Sequence, residues 1–217
     1  MDLRESRIVK ILRLLADEPR GRMLDIGCAG GELAGLLQAQ GWSVEGVDRE
    51  YALVETARAR GIPARQADFD GGPLPWEPDT FDAVVAGEII EHLLDTDRFL
   101  REIGRVVRPR GVLIVTTPNL ASLENRLRLL VGRYPMWMDH QIAGTGHLRY
   151  YTPGVLRAHL EQCGFRVERH VGNWVPLLPQ RWLDDRRAPW LAVAGDLFPS
   201  LAMGILMKAR WTGQPTW

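Results

Sequence analysis

The stretch that decides the fold runs Met23-Leu-Asp-Ile-Gly-Cys-Ala-Gly-Gly-Glu32. An apolar run ending in an acid reads as a strand. Gly27, Gly30 and Gly31 then let the backbone turn sharply and approach a ligand closely, because they carry no Cβ. Glu32-Leu-Ala-Gly-Leu-Leu37 opens a helix. Strand, glycine turn and helix in this order form a nucleotide-binding βα unit. A dinucleotide site needs Gly-x-Gly-x-x-Gly with a pyrophosphate on the helix N-terminus, whereas positions 29 and 32 are Ala and Glu. Glu32 would repel a pyrophosphate.

The Glu32 carboxylate, with Asp25 at the strand end, suits a ligand bearing an ammonium and a sulfonium, and S-adenosyl-L-methionine is such a ligand. Trp42-Ser-Val-Glu-Gly-Val-Asp48 ends a second strand in an acid able to accept both ribose hydroxyls, with Arg49 beside it. In Arg65-Gln-Ala-Asp-Phe69, Asp68 is placed to hold an adenine amine while Phe69 packs on or beside the ring. Cys28 lies inside the first turn. Ala29 stands where a glycine is usual, which costs little at negative φ.

With these motifs in order, the chain resembles the class I S-adenosylmethionine-dependent methyltransferases over roughly residues 20 to 172. The resemblance implies a doubly wound α/β fold, a mostly parallel seven-stranded Rossmann-like sheet, and cofactor contacts from Asp25, Gly27, Cys28, Gly30, Gly31, Asp48, Arg49, Asp68, Phe69, Gly87 and Glu88.

At 217 residues and 46% hydrophobic content, one domain with insertions is expected. Lys plus Arg equals Asp plus Glu, 27 each, so no global field draws the chain to nucleic acid. Cys28 and Cys163 form no metal or disulfide framework and fit a reducing cytoplasm. Residues 1–20 read as an amphipathic helix covering the sheet or the cofactor mouth, with no signal-peptide run.

Apolar strands near 22–26, 42–47, 81–85, 111–116, 165–171 and 204–209 alternate with helical stretches near 31–40, 51–60, 97–107 and 153–162. Pro109-Arg-Gly111 reads as a turn into a strand, Thr152-Pro153 as a helix start, and Gly164 as that helix's end. The segment 118–151, with a helical pattern from Ser122 to Val131 and Tyr134, Met136, Trp137 and Met138, reads as a lid on the acceptor. A Trp- and Pro-rich insertion spans 173–200, with Trp174, Trp182 and Trp190 beside Arg181, Arg186 and Arg187. Asp196 and Pro199 argue against a membrane span over 188–207 and leave core packing, an acceptor wall, a dimer contact or a shallow membrane-surface contact.

The chemistry concentrates in Ala86-Gly-Glu-Ile-Ile-Glu-His-Leu-Leu-Asp95. On a helical turn Glu88, Glu91 and His92 stand at i, i+3 and i+4 and converge. With His147 from the lid they would hold magnesium, manganese or zinc. The other reading makes His92 a general base, with Glu91 orienting it and Glu88 bordering the cofactor. In both, His92 and Glu91 are the catalytic candidates, while Asn119, Trp137 and His147 face the acceptor.

Glu88-Ile-Ile-Glu-His92, Thr116-Thr-Pro-Asn119 and Gly144-Thr-Gly-His147 resemble the ubiquinone-biosynthesis O-methyltransferases and their small-molecule relatives. Gly146 departs from that pattern. This resemblance implies methylation of a small-molecule or lipid-precursor hydroxyl. Two alternatives stay open: a metal-dependent terminal 2′-O-methyltransferase of small RNA, with Arg126, Arg128 and Arg133 beside Tyr134 and Trp137, and a sensor or scaffold without turnover. Arg98, Arg101, Arg105 and Arg108, interspersed with acids, read as a solvated helix face. No role is read for His140, His159 or His170.

Overall fold

Residues 3–137, 146–177 and 188–213 are described by a computed structural model. In chain order the elements are α1 (Leu3–Leu14), β1 (Arg22–Ile26), α2 (Glu32–Ala39), β2 (Ser43–Asp48), α3 (Tyr51–Ala59), β3 (Ala64–Gln66), β4 (Phe81–Gly87), α4 (Thr96–Val106), β5 (Val107–Pro118), α5 (Leu123–Leu130), α6 (Pro153–Gln162), β6 (Phe165–Gly172), α7 (Ala188–Leu197) and β7 (Gly204–Trp211). The seven strands lie in the order β3-β2-β1-β4-β5-β7-β6. Only β7 runs antiparallel to its neighbours.

Alternation along each strand explains the two layers of core, since successive side chains point to opposite faces. Leu24, Ile26, Val84, Ala86, Leu113 and Val115 pack with Phe99, Leu100 and Ile103 of α4 and with Leu156 and Leu160 of α6. Met23, Ala83, Val85, Val112 and Ile114 face α1, α2 and α3 through Ile11, Leu15, Leu37 and Val54. A central strand covered on both faces must be apolar throughout, as the burial of Met23 to Ile26 shows.

Local signals hold at most boundaries. The Asp95 side chain caps α4 by accepting from Arg98 N at 2.9 Å, and Thr152 caps α6 ahead of Pro153. Gly164, at φ +89°, ends α6 in the left-handed conformation that a side chain would disfavour. Pro109-Arg-Gly111 is not a turn before a strand. It is an excursion inside β5, where pairing jumps from Phe81–Val107 to Ala83–Val112 and Arg110 takes φ +66°. The arginine row of α4 is not simply solvated either. Arg98 donates to Gly71 O and Arg105 to Leu74 O and Trp76 O, fastening the loop before β4, whereas Arg108 lies not on that helix but in β5, where it donates to Asp79 O and pairs with Asp82 of β4 at 2.6 Å.

Both terminal additions are tied to the sheet. Lys10 of α1 is buried and donates to Gly172 O and to Ala192 O, while pairing with Asp196 of α7 at 3.0 Å. Arg13 reaches the same carboxylate at 2.6 Å. The stretch 188–207 divides into α7, a short 3-10 turn and the start of β7, and no described helix is long and apolar enough to cross a membrane. Met138, His140, Gly144, Thr145, Arg181, Trp182, Arg186 and Arg187 lie outside the described residues.

Candidate active site

The C-terminal ends of the parallel strands bring the sequence motifs to one edge. β1 lies between β2 and β4, where the strand order reverses and such sheets take their ligands. Gly27 and Gly31 adopt φ of +72° and +83°. At that φ a side chain at Gly27 would be strained, and its Cβ would also displace the tip of Ile89, 2.2 Å away. Ala29 also has positive φ, +47°, so the negative φ at which an alanine costs little there is not met. Its N–H donates to Asp48 Oδ2 at 3.0 Å, which helps to hold that conformation.

Asp48 Oδ1 accepts from Glu50 N at 3.0 Å, so both its oxygens anchor backbone. Each keeps a further lone pair for a hydroxyl. Asp25 is 3% exposed and its Oδ2 has no hydrogen-bond partner. Burial first, and the charge of Asp48 second, push its carboxyl up to about 7. An acid buried without a partner is costly unless something completes it, and a cation at the strand end would do so.

Several expected contacts are redistributed. Glu32 is exposed and pairs with Arg60, which also donates to Gly30 O at 2.8 Å, so it braces the glycine turn from outside rather than lining the cleft. Cys28 is buried against Gly46, with its thiol raised to about 12 by burial. Asp68 stays exposed in a local turn, accepting from Asp70 N. Phe69 is a core residue, its ring centroid 6.2 Å from that of Phe99. Arg49 contributes its carbonyl, which accepts from Gln66 Nε2 at 2.9 Å, while its charge helps lower the pKa of His92.

The turn after β4 differs from the helical spacing expected of it. Glu88, next to Gly87, has φ +57°, and a 3-10 turn begins only at Ile90. Glu88 is therefore left out of the converging ligand atoms, though its charge still acts on Glu91 and His92. Its Oε1 accepts from Thr116 Oγ1 at 2.7 Å and lies 3.5 Å from Arg7 Nη1 of α1. Glu91, His92 and His147 instead form the cluster, with ligand atoms within 4.8 Å of one another. Arg7 carries no motif, and Thr116 opens the Thr116-Thr-Pro-Asn119 stretch without a role read for it, so only the packing of α1 and β5 exposes their part.

Within the cluster Glu91 is 1% exposed and neither carboxylate oxygen meets a partner at full hydrogen-bond geometry, its own backbone and the buried Thr117 hydroxyl being the nearest groups that favour its charged form. Burial, reinforced by Glu88, raises its carboxyl to about 8. His92 Nδ1 lies 3.1 Å from Gly146 O, and His147 Nδ1 lies 2.8 Å from Trp137 O. A carbonyl only accepts, so each Nδ1 carries the hydrogen and each Nε2 keeps its lone pair. The rings meet edge to face with centroids 4.7 Å apart. Leu148 N and Arg149 N both donate to Glu91 O, fastening the returning segment 146–150 to the turn. Gly146, the departure noted above, takes φ +75° and supplies the His92 acceptor.

Beside this cluster is a narrow cleft lined by Glu91, Met136, Trp137, His147, Arg149 and Tyr150. Asn119 also borders it, but its side chain is committed: Nδ2 donates to Ser200 O and Ala202 O, and Oδ1 accepts from Ala121 N. It ties the end of β5 to the start of β7 and leaves little for an acceptor.

Fold and site together define a nucleoside-binding, doubly wound domain with an acid at the end of each of the first two strands and a carboxylate–histidine cluster beside them. Residues 3–170 match the family model described as a methyltransferase domain. The ubiquinone biosynthesis O-methyltransferase of Azorhizobium caulinodans is 31% identical over 167 residues, covering 74% of this chain and 65% of its own length. The human mitochondrial ubiquinone biosynthesis O-methyltransferase is 30% identical over 160 residues, covering 70% and 43%. The chain thus spans less than two thirds of the length of these relatives. An S-adenosylmethionine-dependent methyltransferase crystal structure from Mesorhizobium loti aligns with TM-score 0.68 at 22% identity over 96% of this chain and 99% of that one, a likeness of fold.

The chain belongs to the S-adenosylmethionine-dependent methyltransferase family. S-Adenosylmethionine is that family's cofactor, and the residues here fit it: left-handed glycines open the turn, Asp48 retains lone pairs for the ribose, and Asp25 is an orphaned acid suited to a cation.

Proposed function

We propose that the protein methylates a hydroxyl of a small molecule or lipid precursor, with Glu91, His92 and His147 holding a divalent cation next to the acceptor. The observation that carries this reading is the buried, unpartnered Glu91 carboxylate facing two histidines whose Nε2 atoms are free. Ligand histidines usually donate the other ring N–H to a carbonyl or carboxylate, as both do here. One carboxylate and two imidazoles suit zinc or manganese more than magnesium.

The cofactor supplies a methyl on a sulfonium, already a good leaving group, and the cation supplies Lewis acidity that favours the ionised hydroxyl. The rest is positioning. Asp25 and Asp48 fix the two ends of the cofactor, Glu88 and Arg7 border it beside Thr116, and Trp137, Met136 and Tyr150 wall the acceptor. Alignment of oxygen, methyl and sulfur is worth several kcal/mol, up to about 7–11 in model systems. Without a cation, His92 serves as base. Burial keeps its pKa below the usual value, so the imidazole is neutral, with Nε2 free to take the proton.

The RNA reading has weaker support. Arg128 is paired with Glu124 at 3.0 Å and Arg126 donates to Ala121 O, so two of the three cations are already engaged. Chelator-treated protein titrated with S-adenosylhomocysteine, with and without magnesium, manganese or zinc, tests the proposal alongside methyl transfer to catechols and simple phenols. Metal-dependent turnover of a hydroxyl acceptor is expected. Metal-independent turnover selects His92 as base, and absent cofactor binding overturns the whole reading.

A further inference from the structure

The face of the sheet covered by α4 and α6 carries a second cluster. Asp97 in the first turn of α4, His159 in α6 and Cys163 at the C-cap of α6 place one ligand atom each within 4.8 Å of one another. His159 and Cys163 are four residues apart, so they share a helix face. His159 Nε2 lies 2.7 Å from Asp97 Oδ1, and Nδ1 lies 3.2 Å from Tyr151 Oη, with the two rings stacked 6.0 Å apart at 11°. Cys163 is fully buried, whereas the Asp97 side chain is 60% exposed. Sulfur thus forms the floor of the site and a carboxylate its rim.

We propose that Asp97, His159 and Cys163 form a second divalent-metal site, suited to zinc, that ties α4 to α6. Carboxylate, imidazole and thiolate are all zinc ligands, and bonds of about 2.0–2.3 Å set tetrahedral donors about 3.3–3.8 Å apart, so the Asp97–His159 hydrogen bond of 2.7 Å opens by about 0.6 Å or more as a metal enters. The fourth position opens to solvent on the Asp97 side.

The proton balance is simple. Without metal, the His159 Nε2–H donates to Asp97 and the Tyr151 hydroxyl donates to Nδ1. On binding, the thiol releases one proton to solvent. The imidazole hydrogen passes from Nε2 to Nδ1 through exchange with water, and Tyr151 Oη then accepts it, as an outer-shell partner does. Carboxylate and thiolate together neutralise the dication, so the buried sulfur carries no uncompensated charge. Burial first, and Asp97 second, push the Cys163 thiol up to about 12, so the metal-free sulfur is a protonated, unreactive group. The site shares no residue with Glu91, His92 and His147 and stands whatever their role.

Cobalt(II) titration of the chelator-treated full chain tests this. A thiolate-to-cobalt charge-transfer band should appear, and in the His92→Ala/His147→Ala background, where the Glu91 cluster is disabled, calorimetry across buffers of different ionisation enthalpy should show release of one proton per metal. Cys163→Ser should remove the band, while His92→Ala with His147→Ala should leave it, since that cluster has no sulfur. Tyr151→Phe should weaken binding by about tenfold or more. Asp97→Asn alters an exposed side chain, so it bears on the site even where the Cys163 variant does not fold. It too should cost at least about tenfold. No band at saturating cobalt, a band that survives Cys163→Ser but vanishes in Cys28→Ser, or unchanged affinity in Asp97→Asn overturns the site.

Discussion

Replacing Asp25 by Asn changes a charge and almost no volume, at a carboxyl that is 3% exposed and raised from 3.8 to about 7. A folded pKa above the unfolded one means that the group's stabilising contribution is full below about 3.8 and is lost as pH rises through about 7. One pKa unit is about 1.4 kcal/mol, so between pH 5 and pH 8 the wild-type apoprotein loses at most about 2.7 kcal/mol through this group. Relaxation and water entry on ionisation reduce this to about 1–2 kcal/mol. Urea unfolding at both pH values should therefore show the stability gap moving in favour of Asp25→Asn by that amount. In the proposed function the same carboxylate balances the cofactor's ammonium, so at pH 8 S-adenosylhomocysteine affinity should fall at least about tenfold, a charge-assisted bond being worth about 1.5–3 kcal/mol. A gap independent of pH together with unchanged ligand affinity would refute both the burial argument and the place assigned to the cation.

Asp48→Ala removes the acceptor for Ala29 N and Glu50 N as well as for the ribose, and calorimetry should show S-adenosylhomocysteine affinity reduced about 100-fold. His92→Ala should bind that ligand nearly as wild type does and lose about 10²–10⁴ in turnover; comparable losses in both would place His92 in the cofactor site. Far from the site, burial alone would raise the Glu18 carboxyl, but hydrogen bonds from Arg210 and Lys208 outweigh it and hold it below its usual value. Its stabilising contribution is present above about 4.5 and is lost as pH falls. Glu18→Gln should therefore cost about 2–3 kcal/mol at pH 7 and much less at pH 3, read by thermal or urea unfolding.

The elements that could be read in advance share a strong local cause. β1, the glycine turn and α2 follow from an apolar run, residues without Cβ and a helical pattern, all within Met23 to Leu37. α6 is announced by Thr152-Pro153 and closed by Gly164. β3 is only Ala64–Gln66, too short for periodicity to mark, and α7 lies in a Trp- and Pro-rich insertion for which no helix is read. Phe69 shows the limit for a single side chain: its neighbours place it beside the adenine, and packing on Phe99 makes it core.

The sequence by itself determined the doubly wound class and the acids at the ends of β1 and β2, because strand alternation, left-handed glycines and strand-end carboxylates act within a few residues. Only the tertiary structure decided which groups gather for chemistry. The left-handed backbone at Glu88 turns that acid toward Thr116 and Arg7, and the return of the chain at Gly146 brings His147 to Glu91 and His92. Tyr151, His159 and Asp97, and the choice of Asn119 as a tether, likewise depend on α4, α6 and β7 meeting in space. Spacing along a chain predicts convergence only when the backbone between the residues is regular. Here one positive φ and contacts more than 50 residues apart replaced a helical turn as the source of the site.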